Sequence, residues 1–283
     1  MNTEKHLYGG AGLQLLEGLA TSGKFVFSLD EARQMAQSLL VPISTATVPQ
    51  ALARMAESGW IQRIRRGLYV GTAELPGFAR VPSFAIATQL VTPSAISHWS
   101  ALSFHGLTEQ LPHDVISTTS KKVVTPSMRE SHHSPEGKKH VWMVGEVAYR
   151  YVTVRPRFFF GWEWVWLDEH FRVPIFTKER TLLDMFASPH AFGGIGEALE
   201  ILEHHLGEIR IPKLVDEALQ YGVTSVCKRL GWCLQKTGVS DRRTSRLRRI
   251  PAAGFSLLDP GSPAQGPYDK HWKVQVNLSG MLF

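Results

Sequence analysis

The chain is poor in cysteine. Two occur in 283 residues, Cys227 and Cys233. That excludes a disulfide-stapled fold and points to a reducing compartment. The five residues between them do not match C-x2-C redox or metal spacing, so two buried thiols are expected. Long apolar runs are also missing. The most apolar stretch, 158–167, is too short to span a bilayer and contains Glu163. The first residues, MNTEKHLYGG, hold no apolar run of the signal-peptide kind. There is no solenoid repeat, no P-loop, no G-x-S-x-G elbow, no convincing G-x-G-x-x-G and no H-E-x-x-H. The expectation is a soluble cytoplasmic protein with no membrane partner, no cofactor and no metal. The adjacent histidines His132-His133 and His204-His205 support the last point, because neighbouring side chains on a helix or strand point different ways.

What is present is ordinary globular material, 43% hydrophobic and 20% charged, with length for about two domains. Lys and Arg number 31 against 25 Asp and Glu, a net charge of +6. That excess permits an anionic partner without requiring one.

The first seventy residues read as short helices ending in a hairpin. Leu13, Leu16 and Leu19 recur at helical spacing, and Gly23 can stop that helix. Lys24 to Phe27 is a β-like step. Ser28-Leu-Asp-Glu31 then forms a capping box, and Thr47-Val-Pro-Gln50 reads as a second. In the helix that follows Thr47, Val48, Ala51, Leu52 and Met55 share one face; Gln50, Ala53, Arg54 and Glu57 share the other. Gly59 closes it. Residues 60–71, WIQRIRRGLYVG, read as a hairpin turning at Arg66-Gly67, with Ile61, Arg63 and Arg65 alternating with Gln62, Ile64 and Arg66. Three helices and a basic hairpin are the parts of a winged helix-turn-helix. Pro76, Gly77 and Pro82 punctuate a linker. The division is therefore 1–75 and 76–283, in an α+β fold with the winged helix first and a larger mixed α/β domain after it. That larger part is expected to hold a helix and its approach over 88–105, strands over 114–119 and 141–154, and a polar loop over 121–139. A strand pair crosses 163–176. Helices follow over 179–186, 195–206, 211–221 and 224–237, then tail strands at 255–258 and 272–278.

Duplex DNA is a dense polyanion whose major groove admits one helix. In a helix-turn-helix the N-terminal residues of the second helix lie nearest the bases. Those residues are Ser44, Thr45, Thr47 and Gln50, with Arg54 one turn on. Gln pairs with adenine and Arg with guanine. Arg63, Arg65 and Arg66 are placed to meet phosphate or a minor groove. A solvated basic hairpin or a protein docking module is the alternative. A second basic surface, Arg242, Arg243, Arg246, Arg248 and Arg249, is either a further nucleic-acid or acidic-partner contact or a solvated loop or helix end. Trp162, Trp164 and Trp166 alternate along a strand. Such a stripe stacks bases or forms an interface in some proteins, but a packed sheet face is the expectation. Glu179, Arg180 and Asp184 form a trio that structural ion pairing explains. The glycines at 193, 194 and 196 read as a tight turn. No catalytic residue is assigned.

Nearly the whole chain resembles the AbiEi family of antitoxins from type IV, abortive-infection toxin–antitoxin systems. The segments that carry the resemblance are Arg65-Arg-Gly-Leu-Tyr69, His98-Trp-Ser-Ala-Leu-Ser-Phe-His-Gly-Leu107 and Thr108-Glu-Gln-Leu-Pro112. Glu179-Arg-Thr-Leu-Leu-Asp184 follows, then Pro189, Gly193-Gly194 and Lys228-Arg-Leu-Gly-Trp232. The last are Leu257-Leu-Asp-Pro260, Lys270-His-Trp272 and Asn277. The resemblance implies a winged-helix domain that represses the protein's own operon and an antitoxin domain that counters a nucleotidyltransferase toxin without tight occlusion. It implies duplex operator DNA and that toxin as partners and offers no catalytic residues to carry over; the expectation is a monomer or weak dimer with no enzymatic activity. Two other classes stand beside it: an enzyme acting on nucleic acid or nucleotides with the winged helix as its targeting module, and a ligand-sensing regulator without a toxin.

Overall fold

The computed structural model describes residues 9–39, 44–72, 80–125, 128 and 141–278. Pro76, Gly77, His132-His133 and most of the 121–139 loop lie outside them. The fold is mixed α+β, and the chain divides into two compact units. The first holds residues 1–92 and the hairpin tips 143–147 and 164–173; the second holds the rest. Among the described residues no helix is long and apolar enough to cross a membrane.

The first unit begins with α1 (Gly9–Thr21), whose Leu15, Leu16 and Leu19 are fully buried. Strand β1 (Val26–Ser28) leads into α2 (Leu29–Ser38). The capping box read at Ser28 is present: Glu31 N–H donates to Ser28 Oγ, and Ser28 N–H donates to Glu31 Oε2. Helix α3 (Val48–Glu57) buries Val48, Leu52 and Met55, each contributing about 1.5–3 kcal/mol. Its start corrects the sequence reading. Thr47 makes no side-chain cap; it sits in helical backbone and its hydroxyl donates back to Ser44 O at 2.8 Å. Pro49, which has no N–H to satisfy, completes that first turn. Strands β2 (Ile61–Arg65) and β3 (Leu68–Gly71) join β1 in an antiparallel sheet of order β1-β3-β2. Helix α4 (Ser83–Leu90) also belongs to this unit.

A six-stranded mixed sheet has the order β6-β7-β5-β4-β9-β8. Its strands are β4 (Ser94–Ile96), β5 (Asp114–Thr119), β6 (Val141–Val144), β7 (Val147–Thr153), β8 (Trp162–Trp166) and β9 (Arg172–Phe176). The helix and approach expected over 88–105 are α5 (His98–Phe104) and the strand β4 before it, which pairs with β5 and β9; residues 88–90 are the end of α4. The second unit continues with α6 (Lys178–Ala187), α7 (Ile195–His204), α8 (Ile211–Tyr221), α9 (Thr224–Lys236) and α10 (Asp241–Arg248). A small sheet follows, of β10 (Ser256–Leu257), β12 (Val274–Gln275) and β11 (Tyr268–Asp269). One apolar core joins α5 to α10 and the small sheet, with Trp232 and Trp272 among its largest buried rings. Gly193 and Gly194 both adopt left-handed backbone, which makes 192–196 the tight turn expected.

Candidate nucleic-acid interface

The burial that seats α3 also decides what it displays. With Val48, Leu52 and Met55 inward, Gln50, Ala53, Arg54 and Glu57 are left exposed on the opposite face. Ser44 and Thr47 are exposed just before the helix, and Thr45 is half-buried.

The hairpin adds its arginines by a route that simple alternation does not describe. Between Arg63 and Arg65 the register slips: Arg63 pairs with Tyr69, but Arg65 pairs with Leu68. This bulge lets Ile61 and Ile64, three residues apart, both face the core. Strict alternation would have put Ile61 and Ile64 on opposite faces. Instead Gln62, Arg63, Arg65 and Arg66 are all exposed. The turn uses Gly67 with φ +73°, and Gly67 O accepts a bond from Leu29 N–H at 2.9 Å, tying the tip to the start of α2. Arg63 Nε–H donates to Arg65 O at 3.4 Å, which orders the guanidinium along the strand. Residues 44–66 carry four arginines and a single glutamate, a local excess of +3. The eight residues singled out by sequence therefore lie on α3, its approach and the hairpin of one unit, seven exposed and Thr45 partly so.

The charged residues of the second unit behave differently. Arg180 is 1% exposed, ion-paired to Asp184, and its guanidinium lies over Phe160, Phe176 and Tyr221 at 4.7–5.4 Å. Its Nη2 donates to Phe158 O at 3.1 Å. Burial would raise the Glu179 carboxyl, but bonds from Arg210 and Lys213 outweigh it and hold the group down at about 2. Burial pushes Glu217 up to about 7, against the pull of Lys213 at 3.8 Å. Glu179 and Arg180 thus use separate partners, and the trio is a set of structural ion pairs. His98 is buried, stacked on Phe192 at 5.1 Å, and burial lowers its basicity. Cys227 and Cys233 are free buried thiols, and burial pushes both pKa values up.

Two roles were not legible in the sequence. Lys228 donates to Leu247 O and Arg248 O, neutralising the carbonyl end of α10. Arg229 donates to Phe186 O, Leu257 O and Leu258 O. Both hold backbone carbonyls from inside the core; the only sequence signal was their position between the buried apolar residues of α9. The tryptophan stripe is a correction in the other direction. Trp162, Trp164 and Trp166, on the edge strand β8, are 37%, 52% and 61% exposed. Arg172 lies over Trp164 and Trp166 at 5.9 Å each. The five arginines at 242–249 lie on and just after α10, with Arg242, Arg243, Arg246 and Arg249 exposed.

Residues 43–70, which span the approach to α3, the helix and most of the hairpin, match the AbiEi antitoxin family, described as a transcriptional regulator. The chain is similar in fold to the crystal structure of the RV2827C protein from Mycobacterium tuberculosis, with a TM-score of 0.59 at 12% identity over 95% of this chain and 90% of that one. At that identity the likeness is one of fold. No curated protein sequence matches the chain.

Proposed function

We propose that this AbiEi-like chain is a DNA-binding repressor of its own operon and the antitoxin to a nucleotidyltransferase toxin, in a type IV system of the abortive-infection kind. It acts by binding, with no catalytic turnover, in the cytoplasm, as a monomer or weak dimer. Residues 1–75 are the DNA-binding winged helix-turn-helix, and 76–283 the antitoxin domain. The observation that carries this reading is the paired display of α3 and the hairpin: Ser44, Thr47, Gln50 and Arg54 face outward, and the bulge turns Arg63, Arg65 and Arg66 outward beside them. In a helix-turn-helix the α3 row reads base edges in the major groove. The hairpin arginines hold phosphate or enter a minor groove.

The test is a mobility-shift titration with the DNA directly upstream of the protein's own gene and a scrambled duplex, at two salt concentrations. The native duplex is preferred, and Arg63→Ala/Arg65→Ala/Arg66→Ala lowers the slope of log affinity against log salt by about 3, one unit per lost phosphate contact. Gln50→Ala relaxes the preference by about 1–3 kcal/mol. Equal affinity for both duplexes overturns the operator reading. Co-expression with the product of the neighbouring gene tests the antitoxin half: growth arrest that this chain does not relieve overturns it.

A further inference from the structure

The net charge of the chain is not spread evenly. Residues 236–273 hold eight Lys and Arg against three Asp, while the rest of the molecule holds 23 against 22. From the end of α9 through α10 to the small sheet, the chain is therefore locally basic, with an excess of +5. Arg246 is paired to Asp216, and Arg248 to Asp241 at 3.4 Å. Among the described residues Arg242, Arg243 and Arg249 have no acidic partner. Solvated helix faces usually alternate sign; this one does not.

The segment after α10 carries an exposed aromatic pair and returns to the first turn of α10 through His271. Tyr268 on β11 is 58% exposed and Phe255 just before β10 is 42% exposed, with ring centroids 4.8 Å apart and nearly edge to face. Lys273 Nζ lies over the Phe255 ring at 5.2 Å. Phe255 is thus covered in part by Lys273, and Tyr268, with no cation over it among the described residues, is the more exposed ring of the pair. His271 Nε2 lies 3.5 Å from Asp241 at the first turn of α10, which stitches this loop to the arginine helix.

The platform is rigidly built. Asn277 Nδ2 donates to Asp259 O, Ser262 O and Pro263 O, and Asn277 Oδ1 accepts from Asp259 N–H. Gly266 has φ +105°, and a Cβ there would lie 2.1 Å from Val276 O, so only glycine lets the loop lie against β12. Val276 N–H then donates to Pro267 O at 2.8 Å, fixing the residue before Tyr268. Lys273 itself holds a left-handed φ of +57° between the buried Trp272 and the paired Val274.

We propose that Tyr268, buttressed by Phe255 and Lys273, together with Arg242, Arg243 and Arg249, forms a binding surface for single-stranded nucleic acid. The arginines take phosphates, and Tyr268 stacks an unpaired base. Duplex DNA is disfavoured here because its bases are already stacked and offer no free face to a tyrosine ring. An acidic protein segment would satisfy the arginines but leave Tyr268 unused. The proposal uses none of the α3 or hairpin residues, so it stands or falls apart from the operator reading.

The experiment uses the full chain carrying Arg63→Ala/Arg65→Ala/Arg66→Ala, which silences the hairpin. Fluorescence anisotropy is read with labelled uridine and thymidine strands of about 15 nucleotides, the size range of such sites. A duplex of equal length is run beside them, with polyglutamate as competitor. Both single strands bind more tightly than the duplex; a preference for the uridine strand assigns RNA, and equal binding assigns either source. Tyr268→Ala weakens binding about 5- to 100-fold, the worth of one stacked base, and Tyr268→Phe restores it. Arg242→Ala/Arg243→Ala/Arg249→Ala lowers the salt slope by about 2. Far-ultraviolet circular dichroism melts establish that each variant is folded. Duplex bound as tightly as single strands, full affinity in a folded Tyr268→Ala, or efficient displacement by polyglutamate would each overturn the proposal.

Discussion

Arginine serves opposite ends in the two units. In the first, Arg54, Arg63, Arg65 and Arg66 stand on the surface of α3 and the hairpin, while the apolar residues beside them do the packing. In the second, Arg180 and Arg229 are inside the core, their donors given to Asp184, Phe158 O, Phe186 O, Leu257 O and Leu258 O. A buried guanidinium must be paired, because leaving it unpaired costs several kcal/mol. An exposed one costs nothing to leave open, and only such a group can transfer its donors to a phosphate. The same side chain is a structural clamp inside the core of one unit and a solvent-facing cation on the surface of the other.

Arg180→Ala presses that contrast hardest. It leaves Asp184 buried without its cation and empties the space between Phe160, Phe176 and Tyr221, so stability falls by about 3–5 kcal/mol, read by urea unfolding. A loss under about 1 kcal/mol would show that water reaches the pair and that the clamp reading is wrong.

Glu217→Gln sharpens it through pH. An unfolded glutamate ionises near its ordinary value, whereas Glu217 holds its proton up to about 7 in the fold. The stability from the neutral form is fully present below the unfolded value and is lost as pH rises towards 7. The variant is therefore more stable than the parent at pH 8, by about 1–3 kcal/mol, and gains nothing at pH 4. Glu179 works in the opposite sense. Its carboxyl is held at about 2, so its contribution is present above the unfolded value and is lost as pH falls towards 2. Equal melting temperatures for Glu217→Gln and parent at pH 8 would contradict the burial of Glu217.

Ser28→Ala removes one half of the reciprocal cap on α2 and costs about 1 kcal/mol, while Thr47→Ala, which has no cap to lose, stays within about 0.5 kcal/mol. Equal losses would restore the second capping box. Per site, the smallest effect is expected from Arg63→Ala/Arg65→Ala/Arg66→Ala, each change leaving stability within about 0.5 kcal/mol because all three side chains are exposed. A cooperative loss of fold would mean that these arginines pack rather than wait for a ligand.

Much of the first unit was legible before the structure, and for a local reason. The period of Val48, Leu52 and Met55, the Ser28-Glu31 cap and the Gly67 turn are interactions between residues a few positions apart, so their spacing in the chain is their spacing in space. The outward row of Gln50 and Arg54 follows from the same helical period. Periodicity failed at Ile61 and Ile64, because a bulge answers to the core that both isoleucines enter and not to the strand's own repeat. It failed again at Trp162, Trp164 and Trp166: a stripe of tryptophan shows which side of a strand the rings share, but how far that side is buried depends on what the rest of the chain packs against it.

By itself, then, the sequence determined the helices, the turns, the sign and position of the charge, and the AbiEi resemblance that residues 43–70 match. Tertiary structure alone decided which charges are buried and which face solvent. Arg180 and Arg229 sit in helical stretches as plausible for a surface as that of Arg54, and carbonyls 22 to 43 residues away in the chain take their donors. Tyr268, Phe255 and Lys273 come together only because β11 and β10 both flank β12. Burial and long-range pairing are properties of the folded chain, since the desolvation that sets the energy of a charge is fixed by residues remote from it in sequence.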